Sequence, residues 1–529
     1  ATFALLARAE TTGVFQLESG GMRRYLKQLT PTHFGDITAM VALFRPGPLE
    51  SGMVDEFIAR KHGKAKITYD LPELEPILSE TYGTIVYQEQ VMEIAKRIAG
   101  YTPGQADVLR RSMGKKDKEE MEEQKEKFIE GAVARHVARN KAAHLFNICS
   151  KHAGYSFNKS HSACYAVISY QTAYLKAHYP VPFMAALLSS ISGNMDKTAL
   201  YISECRRMNI PVLPPDVNES GTDFTPAEMA IRFGLAAIKN LGQSAVDIIL
   251  VEREKNGPYT SIIDFLQRVD GRLVNKRAVE ALIKSGAFDN LKVNRFAALD
   301  HLGEIMELGS SRRGAGARGQ AMLFEVGGVT GEGELWSNGG AEHSQDEILK
   351  LEKEVLGLFI TDHPARYLQK EFEERGLTPI AELPEKSERS SVSVGGIITS
   401  TRKLTTKAGD IMMVGTMEDV TGTVPFVLFP VAYRQQMDRI SDDGVVILHG
   451  NVDRRREELQ VIVERVEPLK ITTIRRVLHI QLDSMQHKED LGTLRERLLE
   501  FPGEDGITFH VAGNVVEGAG QAKVAITPQ

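Results

Sequence analysis

Val392-Ser393-Val394-Gly395-Gly396-Ile397-Ile398-Thr399 is where the apolar period of this chain changes from helical to alternating. Further alternating runs follow at Ile411–Glu418, Val424–Leu428, Val445–Val452 and Leu459–Val466. Ala408-Gly409-Asp410 and Thr421-Gly422 supply the intervening turns, and a short helix is expected near Ala432–Met437, between the third and fourth strands. Five strands in that order predict an OB-fold over about 389–470, with a plain β-sandwich as the other arrangement the pattern allows. Beyond it, about 474–529 alternates strand, helix and strand, as a small α/β unit would.

Upstream the period is helical. Val91, Ile94, Ala95 and Ile98 share one helix face, and Ala166 to Leu188 repeats the pattern. Residues 1 to about 215 read as mostly helical, with breaks at Arg45-Pro46-Gly47-Pro48 and Tyr101-Thr102-Pro103-Gly104. Short helices and turns fill 216–306. Gly309 to Asn338 is rich in Gly and Ser, so 307–345 reads as a flexible linker, followed by connecting helices over 346–388. The fold class is multidomain α+β.

At 529 residues the chain has room for roughly three or four domains, and 42% hydrophobic with 25% charged residues is ordinary for a globular protein. A net charge of −6 means that any polyanion must be met by local basic patches. Cys149, Cys164 and Cys205 show no zinc or redox spacing, which suits small apolar fillers in a reducing, cytoplasmic setting. No apolar run has the length of a membrane span, no secretory signal is visible, and the histidines lack ligand spacing. The chain begins at Ala1 inside an apparent helix, which suggests a fragment or a processed product.

Two basic clusters about fifty residues apart carry the chemistry: Leu109-Arg110-Arg111-Ser112-Met113-Gly114-Lys115-Lys116 and Phe157-Asn158-Lys159-Ser160-His161-Ser162. Arginine forks match phosphate oxygens two at a time and lysines add compact charge, so a polyphosphate or a nucleic-acid backbone fits. A solvated mixed-charge helix end, and a turn capped by Asn and Ser, are the alternatives. Arg45, locked before Pro46, either lines the same pocket or pairs within a rigid turn.

With Gly13-Val14-Phe15-Gln16-Leu17-Glu18-Ser19, Phe44-Arg45-Pro46-Gly47-Pro48-Leu49 and Tyr87-Gln88-Glu89-Gln90-Val91-Met92, these clusters form a series of five. In that order they resemble the bacterial DNA polymerase III alpha subunit, the C-family replicative polymerase, from Ala1 to the end of the OB-like region. The resemblance weakens after about residue 475. It implies fingers over 1–215, tandem helix-hairpin-helix elements over 216–306, a sliding-clamp-binding peptide in the linker, the OB domain and a small C-terminal domain. It also implies that Arg110 and Arg111 face the triphosphate of an incoming deoxynucleotide; Lys115 and Lys116 would extend the positive lining, Lys159 and His161 would share that pocket, and Arg45 would be a further lining residue.

The hairpin candidates are Ile238–Ala245, with Lys239, Gly242 and Ser244, and Leu282–Phe288, with Lys284 and Gly286. A glycine at a helix start would offer backbone N–H groups to a phosphate of primer-template DNA. Gln320-Ala321-Met322-Leu323-Phe324 is similar to the family's clamp pentapeptide, with Gln320, Leu323 and Phe324 as its anchors. Arg402, Lys403 and Lys407 in the first hairpin of the OB candidate, and Arg454, Arg455 and Arg456 in the last, would grip a single strand through its phosphates. Phe426, Phe429 and Tyr433 read equally as core or as stacking platform.

The family's catalytic carboxylates sit in a palm domain whose motifs precede Ala1, and Asp442-Asp443 reads as a turn. The resemblance thus implies DNA-directed DNA polymerase activity for the complete subunit only. Its Mg2+ would be held by the palm and not by this chain, and clamp-loader and proofreading subunits would be further partners. A non-catalytic DNA- and clamp-binding module, or a damage-tolerant paralogue, are the other readings left open.

Overall fold

The architecture is that of a computed structural model, which describes residues 1–115, 118–191, 193–318, 345–361, 368–406, 408–441, 444–454, 459–469, 477–482, 502–511 and 514–517. The chain divides into two compact units, the first closing at Ile191 and the second opening at Ser192.

The first unit is helical and holds two cores. Leu6, Leu26, Met40 and Phe57 form one, against Ala166 and Ala173 of the long helix Lys159–His178. Ile94, Leu109, Phe128 and Phe146 form the other, contributed by Gln88–Ala99, Pro103–Lys115, Lys118–Val133 and Arg139–Ala153. The expected breaks are present, with local causes. Pro46 and Pro48 sit in the first turn of a five-residue helix, where a missing N–H costs nothing. Gly100, at φ +72°, ends the Gln88–Ala99 helix before Pro103 starts the next.

One buried ion pair organises the first core. Asp36 is fully enclosed and receives Lys61 Nζ at 2.6 Å, the Tyr82 hydroxyl at 3.0 Å and the Thr32 N–H at 2.9 Å. Burial alone would raise the Asp36 carboxyl; Lys61, the Thr32 N–H and His33 outweigh it and hold the group below its ordinary value.

In the second unit a three-stranded sheet, ordered Val212–Leu213, Ala230–Arg232, Thr225–Ala227, precedes the helices Gln243–Asn256, Ile262–Arg268, Lys276–Lys284 and Arg295–Asp300. These strands escaped the sequence reading because two or three residues are too few to show an alternating period. The helix Leu302–Arg318 also runs into the stretch expected to be linker. Leu302 and Ile305 anchor it in the core, and propagation from an anchored turn needs only one bond per residue.

The five predicted strands are Ser391–Thr405, Ile411–Asp419, Gly422–Leu428, Val445–Asp453 and Gln460–Pro468. They close into a barrel in which the third strand pairs with the fifth, the fifth with the fourth, and the fourth with the first. Closure excludes the sandwich and gives the OB arrangement. The helix Pro430–Gln436 falls between the third and fourth strands as expected. Phe426 and Tyr433 lie in the barrel core, whereas Phe429 is 45% exposed. Near the C-terminus, Val477–Leu482 pairs in parallel with Pro502–Val511, which pairs antiparallel with Asn514–Glu517; the helix expected within this unit lies outside the described residues.

Among the described residues no helix is long and apolar enough to cross a membrane. Cys149 and Cys205 are buried as small fillers, Cys149 with its thiol pushed up to about 12 by burial, while Cys164 is exposed.

Candidate functional site

The two basic clusters meet through an isolated parallel bridge between Tyr87 and Phe157. The Gln88 N–H donates to Phe157 O at 2.9 Å and the Phe157 N–H donates to Val86 O at 3.0 Å. Each bridging segment is the extended lead-in to a helix, so the helices beginning at Gln88 and Lys159 start side by side. Asn158 caps the second of these, its Oδ1 accepting from the His161 N–H at 2.8 Å and the Ser160 hydroxyl at 2.6 Å.

Arg110 and Arg111 share one carboxylate. Asp107 Oδ1 accepts from Arg110 Nε at 3.0 Å and Nη2 at 2.8 Å, and Oδ2 lies 2.7 Å from Arg111 Nη2. Hydrogen bonding from Arg110, with the charge of both arginines, holds the Asp107 carboxyl below its usual value. The remaining Arg110 nitrogen donates to Gln88 Oε1 at 3.3 Å. Arg110 is one-third exposed and Arg111 two-thirds, so both keep faces open to solvent.

Lys159 Nζ bonds both Glu80 oxygens at 2.8 Å and lies 5.4 Å from the Tyr87 ring centre, while its N–H donates to Glu89 Oε2 at 2.9 Å. His161 stacks on Tyr165 at 4.6 Å and meets Phe157 edge-on at 5.3 Å. The other face of this arrangement belongs to Arg45. Its guanidinium lies 4.7 Å from the Phe157 ring centre and donates to Ala42 O at 2.7 Å and Tyr155 O at 2.6 Å. Its partners are backbone carbonyls, not the neighbouring acid that a simple turn would have used. Burial lowers its pKa from the ordinary value.

Arg45 and His161 through Phe157, Arg110 through Gln88, and Lys159 through Glu89 and Tyr87 therefore belong to one network, with Arg111 beside them. Lys115 ends its helix. The sequence reading missed the acids of this network, Asp107, Glu80 and Glu89. Only Asp107 left a local signal, three and four residues before the two arginines on one helix. Chemically, the arrangement is a set of oriented cations, with Arg110, Arg111 and Lys159 paired to carboxylates and Arg45 held by backbone carbonyls.

In the second unit, Gly242 is the N-cap of Gln243–Asn256 and has no side-chain cap bond. Gly242, Gln243 and Ser244 are exposed, and nothing crowds Gly242 within 4 Å. Asn240 takes φ +66°, a left-handed conformation that Asn tolerates. Lys239 is exposed beside this helix start, its N–H held by Val355 O at 2.9 Å.

The second hairpin candidate differs from expectation. Gly286, at φ +80°, follows the end of Lys276–Lys284 instead of opening a helix, and Arg295 packs where a Cβ would stand. Lys284 is drawn into pairs with Glu280 and Glu354, both at 2.7 Å. Arg295 is itself buried and joins Asp289 at 2.6 Å to Glu352 at 3.1 Å.

Arg402 and Lys403 are exposed at the end of the first barrel strand, opposite Val414 and Met413. Arg454 instead turns onto backbone, its Nη2 donating to the carbonyls of Pro384 at 2.8 Å and Lys386 at 2.7 Å and, more weakly, Leu383 at 3.4 Å. Arg455, Gln320, Leu323 and Phe324, with Lys116, Lys407, Arg456 and Asp442-Asp443, lie outside the described residues. Among the described residues no group of three or more His, Cys, Asp or Glu side chains is placed to hold a metal ion.

Three families match in series: the bacterial DNA polymerase III alpha subunit finger domain over residues 1–136, the helix-hairpin-helix motif over 209–298, and the OB-fold nucleic acid binding domain over 392–469. Relatives named DNA polymerase III subunit alpha match most of the chain. That of Pasteurella multocida is 43% identical over 85% of this chain and 40% of its own length. That of Aquifex aeolicus is 42% identical over 88% and 38%, and that of Thermus aquaticus 40% identical over 97% and 42%. The chain thus spans about two fifths of the length of these curated relatives.

Proposed function

We propose that this chain, which belongs to the bacterial DNA polymerase III alpha subunit family, forms the fingers and the DNA- and clamp-engaging part of a cytoplasmic, template-directed replicative DNA polymerase. The observation that carries this reading is the Tyr87–Phe157 bridge, which joins two distant basic clusters into one set of oriented cations.

Arg110 and Arg111, with Lys115, Lys159, His161 and Arg45, meet the triphosphate of the incoming deoxynucleotide. Charge builds on the β- and γ-phosphates as pyrophosphate leaves, and guanidinium groups already held by Asp107 and Gln88 stabilise it with little reorganisation. The exposed helix start at Gly242 and Ser244, with Lys239, holds duplex phosphates without reading sequence. Arg402 and Lys403 hold the single-stranded template. Lys284, Gly286 and Arg454 support neighbouring chain in place of nucleic acid. Gln320, Leu323 and Phe324 attach the chain to a sliding clamp, and clamp-loader and proofreading subunits complete the assembly. The carboxylates that hold Mg2+ belong to the remainder of the complete subunit.

Primer extension tests this. The purified chain is assayed with magnesium and deoxynucleotides, alone and mixed with a fragment carrying the rest of the relatives' length. Extension on mixing is the expected result. No extension in either case, with DNA binding intact, would leave a DNA-binding module without a polymerase role; extension by the chain alone would overturn the placement of the carboxylates.

A further inference from the structure

The segment Tyr87-Gln88-Glu89-Gln90-Val91-Met92 lies at the seam between the two cores of the first unit. Val86 and Tyr87 are buried in one core, and Ile85, Val91 and Ile94 in the other. Gln90, buried between them, fixes the backbone of the seam. Its Oε1 accepts from the N–H groups of Val86 and Tyr87, both at 2.9 Å, and its Nε2 donates to Thr81 Oγ1 at 2.8 Å and Ile77 O at 3.2 Å.

The two residues before Gln90 reach in different directions from that fixed point. Gln88 accepts from Arg110 Nη1 at 3.3 Å, while its own N–H is held by Phe157 O. Glu89 accepts from the Lys159 N–H at 2.9 Å and from Asn158 Nδ2 at 3.1 Å. Adjacent side chains on one helix start thus hold a cation of the first cluster and the helix terminus that presents the second.

We infer that Gln88 and Glu89 are positioning residues for the incoming nucleotide, setting the spacing between Arg110 and Lys159 without touching the ligand. The inference rests on the triphosphate role proposed for those two cations. Oxygens of one triphosphate have fixed spacing, so cations on separate helices serve it only if their separation is held to a fraction of an ångström. The chemistry of the two residues suits this. The neutral amide of Gln88 orients Arg110 without cancelling its charge, which the Asp107 carboxylate on the opposite edge does in part. Glu89 spends its bonds on a backbone N–H and a capping amide, so it fixes where the Lys159 helix starts, while Glu80 holds the Lys159 ammonium.

A double-mutant cycle in the full-length subunit tests this, with Gln88→Ala, Arg110→Ala and the pair compared by single-nucleotide incorporation. Melting midpoint and primer-template affinity are followed as controls. Gln88→Ala should lower kcat/KM for the nucleotide about tenfold, and the pair should be within about twofold of Arg110→Ala alone, because Gln88 acts through that arginine. Gln88→Met, which keeps the side-chain length but removes the acceptor oxygen, should lose as much as Gln88→Ala; it also serves if Gln88→Ala fails to fold. Glu89→Ala paired with Lys159→Ala should behave in the same non-additive way. If Arg110→Ala is impaired while Gln88→Ala matches the unsubstituted enzyme, or if the two losses simply multiply, the positioning role is wrong and the triphosphate role of Arg110 stands. If Arg110→Ala itself is unimpaired, both fall together.

Discussion

Arg110 donates two nitrogens, Nε at 3.0 Å and Nη2 at 2.8 Å, to one oxygen of Asp107. An arginine so held cannot swing freely, and the other Asp107 oxygen restrains Arg111. Fixing the cations costs part of their charge, since the carboxylate lies beside them. Under the proposed nucleotide role, a triphosphate would meet the solvent-facing sides of both forks while Asp107 keeps its hold on them.

The Asp36–Lys61 pair is closed off from water, and removing one partner leaves the other buried and uncompensated. Asp36→Ala should therefore destabilise the first unit by about 3–5 kcal/mol, read from chemical denaturation. The same pair sets an acid limit. Because the folded-state pKa of Asp36 is depressed, its contribution is fully present above the unfolded value of about 4 and is lost as pH falls below that, through the folded pKa. Stability measured from pH 6 downward should fall in that range in the unsubstituted chain and less steeply in Asp36→Asn.

Lys239 and Lys284 make opposite predictions. Lys239→Ala should weaken duplex binding for all sequences alike and reduce the salt slope of log K by about one, as for one lost phosphate contact. Lys284→Ala should leave DNA affinity unchanged and lower the melting midpoint, because its side chain, only 14% exposed, is held between Glu280 and Glu354.

On the barrel the same separation holds between Arg402 and Arg454. Arg454→Ala removes bonds to three backbone carbonyls and should cost about 1.5 kcal/mol of stability with single-strand affinity retained. Arg402→Ala should weaken single-strand binding, most visibly at low salt, with the melting midpoint unchanged.

Exchanging Leu323 and Phe324 together for alanine should weaken binding to a sliding clamp by about 2–4 kcal/mol in a direct titration, the range expected for two buried apolar anchors after ordering costs. Undiminished affinity would remove the tether assignment and leave the rest of the account standing.

The barrel was legible because five apolar runs of five residues or more, rich in β-branched residues, stand in order, with Ala408-Gly409-Asp410 and Thr421-Gly422 between the first three. Short strands such as Val212–Leu213 carry no such pattern. In the candidate site, the basic residues announced themselves by composition, and Asp107 by its helical spacing to Arg110 and Arg111. The contacts that assemble the site are non-local. Gln88 lies 22 residues from Arg110, and Lys159 70 from Glu89, so no window of sequence contains either pair. Gly286 shows the converse: a Lys-Ser-Gly stretch looks the same whether it opens a helix or closes one, and the apolar face of Lys276–Lys284 decides which.

The most direct test of the central claim is the nucleotide dependence of single-nucleotide incorporation by the full-length subunit carrying Arg110→Ala, with primer-template affinity measured in parallel. The account predicts a fall of about 100-fold in kcat/KM for the deoxynucleotide, the scale of losing one preorganised donor to developing charge, with DNA affinity unchanged. An unchanged kcat and KM would contradict it.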